Sequence, residues 1–244
     1  MALSGIVLTV FVIGHLVGNL QIFSAPDHIN GYAHFLQSQG ALLWIARAVL
    51  LAAVIVHVWA ATVLTLENKR ARGDAVRYEV KHTIRATLAS RTMRWTGYIV
   101  LAFVLYHLAH FSLGLAQAAT FKDALKQYVM TSDYHVMGFT AVHAGEKVPD
   151  VHSMMILGFQ NTVVSLFYIL AVGLLSYHLA HGFDSMFQTL GFRSGKSATA
   201  LRTISVVLWS LYFLGNLAIP GAVLLGKLQP RPEIRAAAAA APQR

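Results

Sequence analysis

Four histidines, His15, His57, His107 and His178, stand one apiece inside four separate long apolar stretches of this 244-residue chain. An ionisable side chain at hydrocarbon depth is costly and marks ion, proton or cofactor chemistry. Neutral imidazole is also a standard ligand for iron and other transition metals. Four imidazoles on four spans can hold two iron atoms in pairs, and the pattern predicts two b-type haems with two axial histidines each. His110 and His181 follow His107 and His178 by three residues, so each shares a helix face with its neighbour. One member of each pair is expected to bind metal and the other to donate to a haem propionate or a backbone carbonyl. His28, His34, His82, His135, His143 and His152 fall between the apolar stretches, where a solvated histidine is the ordinary state.

The elements that must position these residues are five apolar blocks, 3–23, 42–66, 95–117, 154–182 and 203–226. A bilayer is crossed by roughly 20 helical residues, and each block is long enough. Only 12% of residues are charged, 56% are hydrophobic and the mean hydropathy is +0.57, which excludes an ordinary water-soluble domain. The blocks are continuous rather than alternating, so helices and not barrel strands are expected. The fold class predicted is an all-α integral membrane protein of five transmembrane helices, the first four forming the haem-binding bundle. Residues 1–226 make one domain, and the Pro/Ala-rich tail 227–244 is expected to be mostly disordered. The first block carries His15 and Asn19 and has no basic residue before it, which argues against a cleaved signal peptide. The absence of cysteine excludes disulfides, thiolate-held iron–sulfur clusters and CxxCH haem attachment.

The net charge of +9 is not a nucleic-acid signature, because eight of the 19 Lys and Arg lie between Lys69 and Arg94. Segment 24–41 has none, 118–153 has Lys122, Lys126 and Lys147 against four acidic residues, and 183–202 has Arg193, Lys196 and Arg202. Basic loops stay inside, which predicts a cytoplasmic N-terminus and an external C-terminus in a prokaryotic cytoplasmic membrane. The four basic residues after Gly226 run mildly against that rule. With this orientation His15 and His107 lie at an outer level, and His57 and His178 at an inner one. Helical rise separates the levels by roughly 10–15 Å, which suits two stacked haems. The expected pairs are therefore His15/His107 and His57/His178.

Arg47 is the one Lys or Arg inside a block, and the blocks hold no Asp or Glu. Haem propionates at the outer level are its expected partner, with snorkelling to the headgroups as the alternative. Gly14 and Gly18 flank His15 and either leave room for a flat macrocycle or let helices pack closely.

The segments GHLVGNLQIF, NGYAHFL, RTMRWTGYIVLAFVLYHLAHF and YHLAHGFDSMFQTLG together resemble the cytochrome b membrane-anchor subunit of succinate dehydrogenase/fumarate reductase, of the five-helix, two-haem type. The resemblance runs from about Gly14 to Gly191, and it implies haem ligation by the same four histidines in the same pairs. It further implies a flavoprotein subunit and an iron–sulfur subunit docked on the cytoplasmic basic loops (69–94 and GFDSMFQTLGFRSGK), within a possible higher oligomer of the complex. Electrons would pass through the inner and then the outer haem to a quinone, with menaquinone expected. For the quinone, Asn30, Tyr32, His34 and Gln37 of the segment Asp27 to Gln37 are the candidates, against a plain polar loop. Some fumarate reductases of this type carry a glutamate where this chain has Ser176, which favours succinate oxidation here. This chain has no nucleotide-binding glycine pattern, so it is not expected to oxidise succinate alone. Two rivals remain: the di-haem anchor of a formate dehydrogenase or hydrogenase, and a haem-free transporter or scaffold. The latter expects mid-membrane carboxylates or broken helices.

Overall fold

The computed structural model describes residues 1–71 and 88–240. His82 and most of the basic loop 69–94 lie outside the described residues. Helices α1 (Ala2–Asn19, continued by a 3₁₀ turn to Phe23), α3 (Ala41–Ala71), α4 (Leu88–His107), α6 (Thr162–Thr189) and α7 (Ala198–Leu224) dominate. These five are long and apolar enough to cross a membrane. The chain is a multi-pass helical membrane protein. Its outward surface is apolar, as lipid contact requires: Trp44, Trp59 and Leu170 are each about two-thirds exposed, at 67%, 65% and 65%.

The short helix α2 (Pro26–Ser38) follows the first span. Where the sequence reading places a loop from Asp27 to Gln37, the chain is helical, started by Pro26 in the first turn, a position that suits proline. Helix α5 (Val151–Gln160) precedes α6. The fourth apolar block was expected to cross as one piece from 154, but the chain breaks at Asn161. Its side chain caps α6 by accepting from the N–H groups of Val163 and Val164. Residues 152–159 are buried among protein elements instead. The third block likewise ends early, in a π-helical turn at Leu108–Ser112, short of the expected 117.

α2 and α5 join two small antiparallel strand pairs in a cap on one side of the bundle. Strand β1 (Tyr128–Val129) pairs with β4 (Lys147–Val148), and β2 (Tyr134–Val136) with β3 (Phe139–Val142). The β2–β3 turn is Met137-Gly138, both at positive φ (50° and 89°), the form that matches strand twist. Tyr128, Met130, Val142 and Val148 make its small core.

The tail departs from the expected disorder. Arg231 donates to the fully buried Asp150 at 2.6 Å and to the carbonyl of Lys126 at 2.8 Å. A helix, α8 (Pro232–Ala240), follows, and its Ile234 is buried. The physical reason is charge: a carboxylate cannot be buried without a partner, and Arg231 supplies it.

Candidate functional site

The bundle brings the four span histidines together in two pairs. The rings of His15 and His107 lie 5.7 Å apart between centroids, and those of His57 and His178 lie 6.5 Å apart. A metal–imidazole bond of about 2 Å on each side would set two axial rings about 6 Å apart. Both pairs fit that span with their rings crossed at 87° and 65°.

The levels follow from the neighbours. His57 sits beside Ser4 and Gly5 of α1, and His178 beside Thr96 and Gly97 of α4. From Ser4 to His15 and from Thr96 to His107 is the same count, eleven residues. At about 1.5 Å per residue the two pairs are therefore roughly 16 Å apart along the bundle.

Second partners define the protonation of the inner pair. The Ser4 hydroxyl donates to the Met1 carbonyl at 2.9 Å, and the Thr96 hydroxyl donates to the Met93 carbonyl at 3.0 Å. Each hydroxyl has one proton, already spent. With that proton on the carbonyl, each hydroxyl is free to accept from the imidazole beside it, Ser4 from His57 Nδ1 at 3.3 Å and Thr96 from His178 Nδ1 at 3.1 Å. Nδ1–H on both rings leaves Nε2 as the bare lone pair, the form a metal requires. At the other level the Tyr168 hydroxyl lies 3.5 Å from His107 Nδ1 and 3.0 Å from His110 Nδ1.

The surroundings leave space. α3 has one buried residue, Ala53, among the described residues, and its substantial packing is on α1. His15 is exposed and the other three paired imidazoles are only half-buried, although all stand within the bundle. A Cβ on Gly14 would meet nothing within 4 Å, so that glycine adjoins open space. Gly18 does not: a Cβ there would come within 2.6 Å of the Tyr32 ring, so its role is close packing of α2 on α1.

His110 is also elsewhere than expected. It is 3% exposed, stacked on Phe111 at 3.9 Å and bonded to Tyr168, so protein and not a cofactor covers it. A π-helical turn begins at Leu108, between the two histidines, and both rings meet the Tyr168 hydroxyl. His181 is half-buried, 3.4 Å from the Ser185 hydroxyl, and lines a groove between α6 and α7. Arg47 is exposed, with its guanidinium 4.8 Å over the Trp44 ring and no carboxylate partner among the described residues.

The four quinone candidates are not gathered as one set. Asn30 is fully buried and its carbonyl oxygen accepts from the His152 N–H at 2.8 Å. His34 pairs with Glu146 at 3.1 Å, and Gln37 is exposed. Tyr32 alone turns to α1, one turn beyond His15, and burial raises its hydroxyl pKa. His152, expected in solvent, is buried at 6% exposure. Its Nδ1 and the Asn30 amide nitrogen both lack a partner among the described residues. Burial lowers the His152 pKa, partly offset by Asp150.

Among the described residues no group of three or more His, Asp or Glu is disposed to hold a bare metal ion, and the ligand-like arrangement is one of pairs. The chain matches no family model, no curated protein and no solved structure.

Proposed function

We propose that this chain is a two-haem cytochrome b that anchors a succinate:quinone oxidoreductase and passes its electrons to a quinone. The observation that carries the reading is the pairing of four intramembrane histidines at two levels, with a hydroxyl beside Nδ1 of both His57 and His178. His57 and His178 would hold the haem of the inner level and His15 and His107 that of the outer. Bound there, the haems supply one-electron transfer across the membrane. The protein's part is to aim the ligands, exclude water and set ligand basicity through Ser4, Thr96 and Tyr168.

The succinate dehydrogenase partners rest on the sequence resemblance, and the cytoplasmic placing of the end that carries Arg193, Lys196 and Arg202 rests on the loop charges. Tyr32, beside α1 and near the outer pair, is the residue placed to hydrogen-bond a quinone carbonyl. The test is the haem-to-protein ratio and the reduced-minus-oxidised spectrum of the purified membrane complex. Two b haems per chain, partly reduced by succinate, is the expected result. Two haems that succinate leaves oxidised would replace the partner with another dehydrogenase, and absence of haem would refute the reading.

A further inference from the structure

The α6–α7 hairpin carries a groove of about 770 Å³. One wall is Gly173, Ser176, Tyr177 and Ala180 of α6, and the other is Val206, Trp209, Phe213 and Leu214 of α7. Two of the lining hydroxyls are spent on backbone carbonyls: Ser176 donates to Val172 within α6 at 2.8 Å, and Ser205 of α7 reaches across to the Ala180 carbonyl of α6 at 2.6 Å. Charge is confined to one end, where Asp184, Arg193 and Arg202 meet beside His181. From Gly173 to Asp184 and from Arg202 to Leu214 the helices rise roughly 16–18 Å. The groove is thus a long apolar trough with a charged mouth at the hairpin bend.

The mouth is cationic on balance. Asp184 holds Arg193 at 2.9 Å. Arg202 is exposed and has no anionic partner among the described residues, and Lys196 stands in the same bend. Three cations against one carboxylate leave two positive charges where a membrane presents its headgroups.

We propose that this groove is a binding site for one anionic phospholipid, its acyl chain along α6 and α7 and its phosphate at Arg202 and Arg193. A neutral amphiphile would fill the trough equally well but would leave the two excess charges unmatched, and an inorganic anion would meet the mouth but not the trough. Each juxtamembrane cation strengthens binding to anionic lipid by about fivefold, so the mouth should favour an anionic headgroup over a zwitterionic one by roughly 30-fold.

Native mass spectrometry of the full-length protein in its membrane complex, titrated with phosphatidylglycerol or phosphatidylcholine of matched chains, tests this. One tightly held phosphatidylglycerol per chain is expected, with Arg202→Gln cutting the preference about fivefold and Asp184→Asn raising it by a similar factor. Ser210→Phe, which fills the trough away from the paired histidines, should lose both lipids with the haem spectrum unchanged. Equal binding of the two lipids, or a preference untouched by Arg202→Gln, would overturn the proposal. So would competition by inorganic phosphate, which would make the mouth an ion site only, or mole-for-mole displacement by a quinone.

Discussion

Replacing Thr96 by valine removes one hydroxyl and little else, since the two side chains have nearly the same shape. Valine cannot accept the Nδ1–H of His178, so that ring loses the partner now 3.1 Å away. Losing a hydrogen-bond partner behind a metal ligand costs about 10–100-fold in affinity for the metal. On the two-haem reading proposed above, the inner haem should therefore be partly lost from Thr96→Val during purification. In the haem that remains, a less basic imidazole favours ferrous over ferric iron. A threefold to tenfold differential raises a one-electron midpoint by about 30–60 mV. Spectroelectrochemical titration of the membrane complex separates the two haems, and only the inner one should move. Thr96→Ser restores the acceptor and should restore the potential, which a simple packing defect would not do. If Thr96→Val kept both haems at wild-type content and potential, the assignment of Nδ1–H and Nε2 on His178 would be wrong.

Three further outcomes are expected. His57→Ala or His178→Ala should lose the inner haem and block electron entry. His15→Ala should keep an inner haem that succinate reduces but that fails to pass electrons to quinone; two retained haems in His15→Ala would refute the pairing. Gly18→Ala forces a Cβ to within 2.6 Å of the Tyr32 ring and should cost about 1–3 kcal/mol in thermal unfolding, whereas Gly14→Ala should leave the melting temperature unchanged. Burial holds His152 below its ordinary 6.5, so on acidification the unfolded chain binds the proton first. Cap stability should then be full above about pH 6.5 and fall below it, and His152→Gln should flatten that slope in hydrogen exchange of the cap amides.

Hydropathy exposes the spans because every lipid-facing residue must be apolar, and the two levels follow from counting residues within them. That is why His15 meets His107, and His57 meets His178, as the loop charges and spacing predict. Burial against protein leaves a similar trace, so the run VHSMMILGFQ reads as part of the fourth span although α5 is packed in the cap. The signal that separates them is Asn161, a helix-capping residue in mid-run. Ser4 and Thr96 had no signature, since a hydroxyl in an apolar helix ordinarily bonds its own backbone. Only the neighbouring helix turns it into an acceptor for histidine. The burial of His110 against Tyr168 and Phe111 likewise has no trace in the spacing, since it depends on the neighbouring helix α6 and on a π-helical turn.

The Arg231–Asp150 contact has a consequence for how the chain is assembled. The cap is drawn from three distant stretches: residues 26–38, the segment before the fourth span, and the residues just after the fifth. Arg231 is synthesised after the fifth span, and it can reach Asp150 only from the same face of the bilayer. Until then a carboxylate lies in the cap without its counter-charge, a defect that costs about 3–5 kcal/mol where such pairs are broken. The contact therefore acts as a topological check on the fourth and fifth spans, closing only when these two bring Asp150 and Arg231 to the same face. A chain whose fifth span alone failed to insert would hold Arg231 on the opposite face and keep an open cap.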